Sequence, residues 1–398
     1  MSNADWADRG NKVFIGTYSR FPAAMVRGSG CRLWDADGRE YLDFLAGIAV
    51  CSLGHCYPRV SEAISRQAQT LVHVSNLFHT LPQIELAELL VANSFADRVF
   101  MCNSGAEANE AAIKLARIHS GPGRYEIISL LGSFHGRTLA AVAATGQPKF
   151  HQGFEPMPQG FVHAEFGDPA AIERLITPLT CAVLCEPLQG ESGVRPLDRT
   201  YLRAIRELCD RHGLLLIFDE VQTGMGRTGT LFAYEQLDVI PDILTMAKAL
   251  ANGLPMGAML TTEKIAASLT VGSHASTFGG NPVAAAAAVE VLRVMLAEGF
   301  FATVQERSRY FLGRLEEVAT HHPTLAVGAR GRGLLLGLVL TDRGIELGAA
   351  IVQKMFEEGA IINFAGNAVL RFVPPLIVTE AEIDLLIDKL DVVLGALA

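Results

Sequence analysis

Short, unbroken apolar stretches recur along the chain, and most of them stop at a polar or charged residue. Residues 99–102 run into Asn103 and Ser104, 125–130 toward Gly132 and Ser133, 181–185 into Glu186, and 214–218 into Asp219 and Glu220; two more stretches lie near 243 and 256. Stretches this short suit strands buried on both faces. With helical or loop connections between them, they predict an α/β architecture with a mainly parallel sheet whose ligands lie along one edge, at the carboxyl ends of the strands. Helical periodicity covers 59–71, 83–92, 111–118, 283–296, 302–320, 346–358 and 379–394. Thr379 with Glu382, and Ser104 with Glu107, read as capping boxes that open two of these helices. Residues 24–45 alternate apolar and polar about the turn Asp35-Ala36-Asp37-Gly38, which predicts a hairpin, and 332–340 predicts one further strand.

At 398 residues the chain exceeds the size at which a single core keeps growing, so a large and a smaller domain are expected. Residues 51–284 carry the sheet pattern; 1–50 and 285–398, in which strands and long helices alternate, are assigned to the smaller unit. The net charge of −9 includes no basic block, which argues against a nucleic-acid partner or an anionic membrane surface and leaves any anionic substrate to local arginines. The opening MSNADWADRGNK has no apolar signal core, and no apolar run is long enough to span a bilayer, so a cytoplasmic protein is expected. Cysteines 31, 51, 56, 102, 181, 185 and 209 form no C-x-x-C pair and read as buried, reduced thiols. No H-E-x-x-H occurs and no other spacing suits a metal, so none is expected.

The chemistry concentrates between residues 214 and 258. Asp219 and Glu220 follow an apolar strand directly, and Lys248 stands alone among small and apolar neighbours, where a solvated lysine is out of place. An apolar strand ending in Asp-Glu resembles the metal-holding strand of P-loop ATPases, but the chain has no G-x-x-x-x-G-K-[ST] to cradle phosphates. Gly224, Gly226 and Gly229 spell G-x-G-x-x-G, the mark of a dinucleotide site when it opens a helix; Thr230 to Tyr234 carry no clear helical start. A pyridoxal phosphate site uses both charged residues: the lysine amine forms a Schiff base, and an acid keeps the pyridine nitrogen protonated.

Other segments offer parts for such a site. Gly105, at the start of a helix, lets backbone N–H groups approach a phosphate, although an ordinary capped helix reads the same. Phe134 can stack on a flat ring and Arg137 can grip a carboxylate, or the two are simply a core aromatic and a solvated charge. Glu191 lies in a glycine-flanked turn. Arg371 sits in an apolar strand and needs a carboxylate partner. Tyr18-Ser19-Arg20 reads as a surface loop, and Asn76 and Phe78 follow a turn that could line a pocket.

Taken together and in order, SGAEANEAAIKLAR, FHGRTLAA, EPLQGESGV, FDEVQTGMGRTG, AKALANGLPMGA, STFGGNP and LRFVPP resemble the class III (ω-amino acid) aminotransferases, fold-type I enzymes of pyridoxal phosphate, from end to end. The resemblance implies a large domain with a mainly parallel seven-stranded sheet, a smaller α+β domain, and a homodimer with shared active sites. By the same resemblance Lys248 is the Schiff-base lysine and proton shuttle, and Asp219 pairs with the pyridine nitrogen. Val221 and Phe134 pack on the ring, Gln222 reaches the phenolic oxygen, and Ser104, Gly105 and Ala106 hold the phosphate with Thr277 of the partner subunit. Arg137, Tyr18 and Ser276 are implied for the donor, while Glu191 masks Arg371 for the donor and releases it for 2-oxoglutarate. Segments ATGQPKFHQGFEPMPQGF and TYSRFP point, within the family, to N2-acetylornithine as the donor. N-succinyl-diaminopimelate, succinylornithine, ornithine and 4-aminobutyrate remain alternatives.

Overall fold

In the computed structural model, which describes residues 1–397, the apolar stretches become strands to within one or two residues of their expected ends. In chain order these are β1 (Met25–Ser29), β2 (Arg32–Asp35), β3 (Glu40–Asp43), β4 (Arg98–Cys102), β5 (Glu126–Leu130), β6 (Phe161–Ala164), β7 (Thr180–Cys185), β8 (Leu188–Gln189) and β9 (Arg195–Pro196). They continue with β10 (Leu215–Asp219), β11 (Ile243–Met246), β12 (Gly257–Thr261), β13 (Ala326–Arg332), β14 (Leu335–Leu340), β15 (Ala360–Ile361), β16 (Asn363–Ala365) and β17 (Val369–Phe372).

The central sheet has seven strands in the order β4-β12-β11-β10-β7-β5-β6. Only β12 runs against its neighbours. Both faces are buried, as the unbroken apolar runs require. Ile127, Ala182, Leu184, Leu215 and Ile217 pack under the alanine-rich face of helix Gly105–His119, while the alternate residues Ile128, Val183, Leu216 and Phe218 join the larger core with Leu202 and Ile205 of helix Arg199–His212. Full burial of a side chain such as Phe218 is worth roughly 2–3 kcal/mol, so a polar residue mid-strand would carry a heavy penalty. Polar chemistry is thereby pushed to the strand ends.

A second sheet, β1-β2-β3-β15, pairs residues 360–361 in parallel with β3, so the amino-terminal hairpin shares a sheet with the carboxyl-terminal part of the chain. The third, β13-β14-β17-β16, is antiparallel and carries Arg371 in β17. Three features depart from expectation. Residues 332–340 are not one strand: β13 and β14 form a hairpin turning at Gly333, which adopts φ +59°. Strand β6 had no clear signal, being four residues at the sheet edge. Helix Asn3–Val13 buries no residue and so shows no apolar stripe; the Ser2/Asp5 capping box starts it.

The glycine-rich run after β10 opens no long helix, only the short turn Ala233–Gln236. Its Arg227 is fully buried and donates to the carbonyls of Leu334 and Pro374 and to Ser52 Oγ, tying the run to β13–β14 and to the loop after β17. That geometry excludes the dinucleotide fingerprint, which needs the helix.

Two glycines with similar φ separate backbone strain from crowding. Gly366 (φ +60°) presses on the Ser192–Gly193 backbone, where a Cβ would stand 2.3 Å from Ser192 C, whereas Gly30 (φ +55°) has open space. Gly30→Ala is expected to cost about 1 kcal/mol, from strain alone, and Gly366→Ala on the order of 2 kcal/mol more. Urea unfolding of both variants measures the difference.

Candidate active site

Five strand ends and one strand start meet at a cavity of about 330 Å³. Asn103 to Ala106 follow β4, Phe134 to Gly136 follow β5, Glu186 follows β7, Asp219 ends β10, and Lys248 follows β11. Because β12 runs backward, Gly253 to Met256 reach the same edge from its beginning.

Lys248 opens the short helical turn Lys248–Ala251 with φ 42°, in the left-handed region. Burial lowers its pKa, and Arg371 adds to this, against the raising influence of Glu191, Asp219 and Glu186. An amine so placed is shifted toward its neutral form. Asp219 faces it across the cavity as a carboxylate fixed by three groups. Asn109 Nδ2 donates to Oδ2 at 2.7 Å, His135 Nδ1 lies 2.8 Å from the same oxygen, and Val221 N–H donates to Oδ1 at 3.0 Å. Asn109 is held in turn, accepting from Thr245 Oγ1 at 2.7 Å and donating to the carbonyl of His135 at 2.7 Å.

Two further carboxyl groups line the cavity and are driven apart. Burial, reinforced by Asp219, pushes Glu186 well above the usual carboxylate range, and the Phe134 N–H donates to it at 3.1 Å. Burial opposes ionisation of Glu191 too, but Arg371, Lys248 and Gln222 outweigh it and hold Glu191 down at about 2. Arg371 is fully buried, with Nη1 2.7 Å from Glu191 Oε1, so the charge that its apolar strand called for is present. Gln222 lies between them, donating to Glu191 at 3.1 Å and accepting from Arg371 at 3.3 Å.

At the phosphate-loop candidate, Ser104 Oγ accepts from Glu107 N–H at 3.2 Å, but the box is not reciprocal: Glu107 instead accepts from the backbone and side chain of Asn103. The amides of Gly105 and Ala106 precede the first helical bond, made by Ala108. A Cβ at Gly105 would meet Val221 Cγ1 at 2.7 Å, so the glycine allows the helix start and the cavity floor to approach.

Ten of the expected residues line this cavity or, in the case of Arg371, pair with one that does; the other four lie elsewhere in the protomer. Arg137 is exposed, its guanidinium over the rings of Phe150 (4.0 Å) and Phe134 (5.5 Å). Tyr18 is 72 % exposed. Ser276 is bonded by Asn103 Nδ2 at 3.1 Å, and with the exposed Thr277 it lines neighbouring clefts. Asn76 borders the larger of these and bonds the carbonyls of Ser276 and Gly279; Phe78 is exposed. Asn109 and His135 were not singled out in the sequence, although both stand in motifs that were; Glu186 was noted only as the charge that ends an apolar run.

The family described as Aminotransferase class-III matches residues 16–394. The chain belongs to the class III aminotransferases. It is 48 % identical over 398 residues to the acetylornithine aminotransferase of Methanocaldococcus jannaschii, covering 98 % of each chain, and 49 % identical over 381 residues to that of Myxococcus xanthus, covering 94 % of each. Among solved structures, N-acetylornithine aminotransferase from Stenotrophomonas maltophilia K279a is similar at TM-score 0.84 and 39 % identity, with 98 % of both chains covered. Ornithine aminotransferase from Toxoplasma gondii ME49 is similar at TM-score 0.94 and 32 % identity, covering 100 % of this chain and 96 % of that one.

Class III aminotransferases use pyridoxal phosphate, and the residues here fit that group. The cavity offers a buried amine with a lowered pKa, a carboxylate held by three partners, and a helix start whose glycine admits close approach. No His, Cys, Asp and Glu cluster suited to a metal occurs among the described residues.

The Glu191–Arg371 pair has a pH signature. The folded pKa of Glu191 lies below its ordinary 4.5, so the pair's stabilisation is complete above about pH 5 and is lost as pH falls toward 2. The stability gap between the native enzyme and Glu191→Gln, followed by urea midpoints, is expected to be largest at neutral pH and to narrow across that window.

Proposed function

We propose that this enzyme moves the δ-amino group of N2-acetylornithine to 2-oxoglutarate, giving N-acetylglutamate 5-semialdehyde and glutamate, as a cytoplasmic homodimer with shared active sites. The observation that carries the reading is the meeting of Lys248 and Asp219 in one cavity, with the Glu191–Arg371 pair at its side. The donor is supported by relatives named acetylornithine aminotransferase at 48–50 % identity over most of the chain. No helix among the described residues is long and apolar enough to cross a membrane.

When bound, pyridoxal phosphate supplies a protonated ring that accepts the electron pair left when the donor carbon loses its proton. Lys248, its pKa lowered by burial, would hold the cofactor through its amine and is placed to take that proton from the carbon bearing the donor's amino group. Asp219, fixed by Asn109 and His135, serves the ring nitrogen. Phe134 and Val221, which line the cavity, would pack on the ring, and Gln222, already bonded to Glu191, would serve the phenolic oxygen. Ser104, Gly105 and Ala106 receive the phosphate at the start of helix Gly105–His119, where the helix dipole favours an anion. Thr277, exposed and outside its own cavity, is the phosphate contact that each subunit offers the other.

Arg137 takes the donor carboxylate remote from the reacting amine, and Tyr18 and Ser276 complete the donor's seat. Glu191 neutralises Arg371 while the donor is bound. Swung aside, it frees Arg371 for the carboxylate of 2-oxoglutarate in a two-step exchange.

Side-by-side turnover of N2-acetylornithine, ornithine, 4-aminobutyrate and N-succinyl-diaminopimelate tests the donor, with Lys248→Ala as the site control. N2-acetylornithine is expected to exceed the others in kcat/KM by about tenfold or more, and Lys248→Ala to lose both turnover and the visible absorbance of the attached cofactor. Preference for another donor overturns the substrate assignment; ordinary turnover by Lys248→Ala overturns the site.

A further inference from the structure

The guanidinium of Arg371 has a polar neighbour besides the members of the gate. In the third sheet β17 lies between β14 and β16, and Arg371 is paired in register with Gly337 on one side and Asn363 on the other. Glycine offers no side chain, so of these two register partners only Asn363 can meet the arginine across the sheet. It does so through a hydrogen bond, Arg371 Nε donating to Asn363 Oδ1 at 2.9 Å.

The five N–H groups of the guanidinium are therefore unevenly used. Nε is taken by Asn363. Nη1 has three acceptors for two hydrogens: Glu191 Oε1 at 2.7 Å, the carbonyl of Gly190 at 3.1 Å and Gln222 Oε1 at 3.3 Å. Nη2 is buried and has no hydrogen-bond partner among the described residues. Glu191 and Gln222 line the cavity, and Arg371 lies behind that lining, fully buried.

A carboxylate grips a guanidinium in two-pronged fashion across one of two edges, Nε with Nη2 or Nη1 with Nη2. Asn363 closes the first edge. On the second, Nη2 carries no bond to be broken, and Nη1 gains an unused hydrogen once Glu191 leaves it. The Gly190 carbonyl and Asn363 are independent of Glu191, so they hold the guanidinium in place after the glutamate has moved.

We propose that Asn363 is a positioning residue of the gate: by holding Nε, it confines the acceptor carboxylate to the Nη1/Nη2 edge of Arg371, where that carboxylate must displace Glu191. The two carboxylates then exclude each other, and no acid reaches Arg371 along the Nε side while Glu191 stays in place. Without Asn363, an acceptor could use Nε and Nη2 and leave the glutamate where it is. This role rests on the reading of Arg371, given above, as the seat of a 2-oxoglutarate carboxylate.

The test is a mutant cycle read by equilibrium binding of glutarate to the holoenzyme; glutarate has both carboxylates of 2-oxoglutarate without the reacting carbonyl. In the native background Glu191→Gln puts a neutral competitor at Nη1 in place of a charged one, and glutarate is expected to bind about fivefold or more tighter. In the Asn363→Ala background the open Nε/Nη2 edge bypasses Glu191, and the same change is expected to alter affinity by less than about twofold. A merely structural part for Asn363 would weaken binding by one factor in both backgrounds and leave the Glu191→Gln gain intact, which overturns the role of Asn363 alone. Arg371→Ala is expected to weaken glutarate about tenfold or more; unchanged binding there overturns the seat itself, and the role of Asn363 with it. Should Asn363→Ala not fold, Asn363→Val, which also removes the acceptor oxygen and suits a strand, takes its place in the cycle.

Discussion

A carboxylate at the end of a strand buried on both faces is almost wholly shielded from bulk solvent, and the structure around Asp219 follows from that constraint. Each of its partners comes from a different segment: Asn109 from the helix after β4, His135 from the loop after β5, and the Val221 amide from the turn after β10. Thr245 of β11 closes the network by holding Asn109. An unpaired buried carboxylate would cost several kcal/mol, so these segments must converge wherever the strand ends. The order of the central sheet, with β10 flanked by β7 and β11, makes the convergence possible.

The same crowding sorts the charges of the cavity. Three carboxyl groups and one amine cannot all ionise freely in one enclosed space. Glu186, which makes no ion pair among the described residues, is pushed by burial toward its neutral form; Glu191, paired with Arg371, stays ionised. Lys248 is pushed toward the neutral amine that covalent chemistry requires. The backbone next to Glu191 is held from outside as well, since Arg330 donates two hydrogen bonds to Gly193 O and the Gly366 turn presses on the same segment.

The fold was legible where burial on two faces leaves unbroken apolar runs, and illegible where it does not. Strand β6 is short and at an edge, helix Asn3–Val13 buries nothing, and the β13–β14 turn hides in a run of glycine and arginine. Lys248, Asp219 and Arg371 stood out because a charge in apolar sequence violates a local rule. Asn109 obeyed the local rules: it sits in an alanine-rich capped helix, and only the folded chain brings it 110 residues forward to Asp219. Gln222 was read toward the cofactor, yet its amide also serves Glu191 and Arg371, a relation between loops that no spacing encodes. Thr277 and Tyr18 are exposed and lie outside the cavity, so the fold of the single chain does not bring them to the site.

The most direct measurement is the single-turnover rate of proton abstraction from N2-acetylornithine by Asp219→Ala enzyme whose circular dichroism and cofactor content match the native protein. If Asp219, held by its network, governs removal of the donor's proton, the rate falls by about a hundredfold or more. A rate near that of the native enzyme would contradict it.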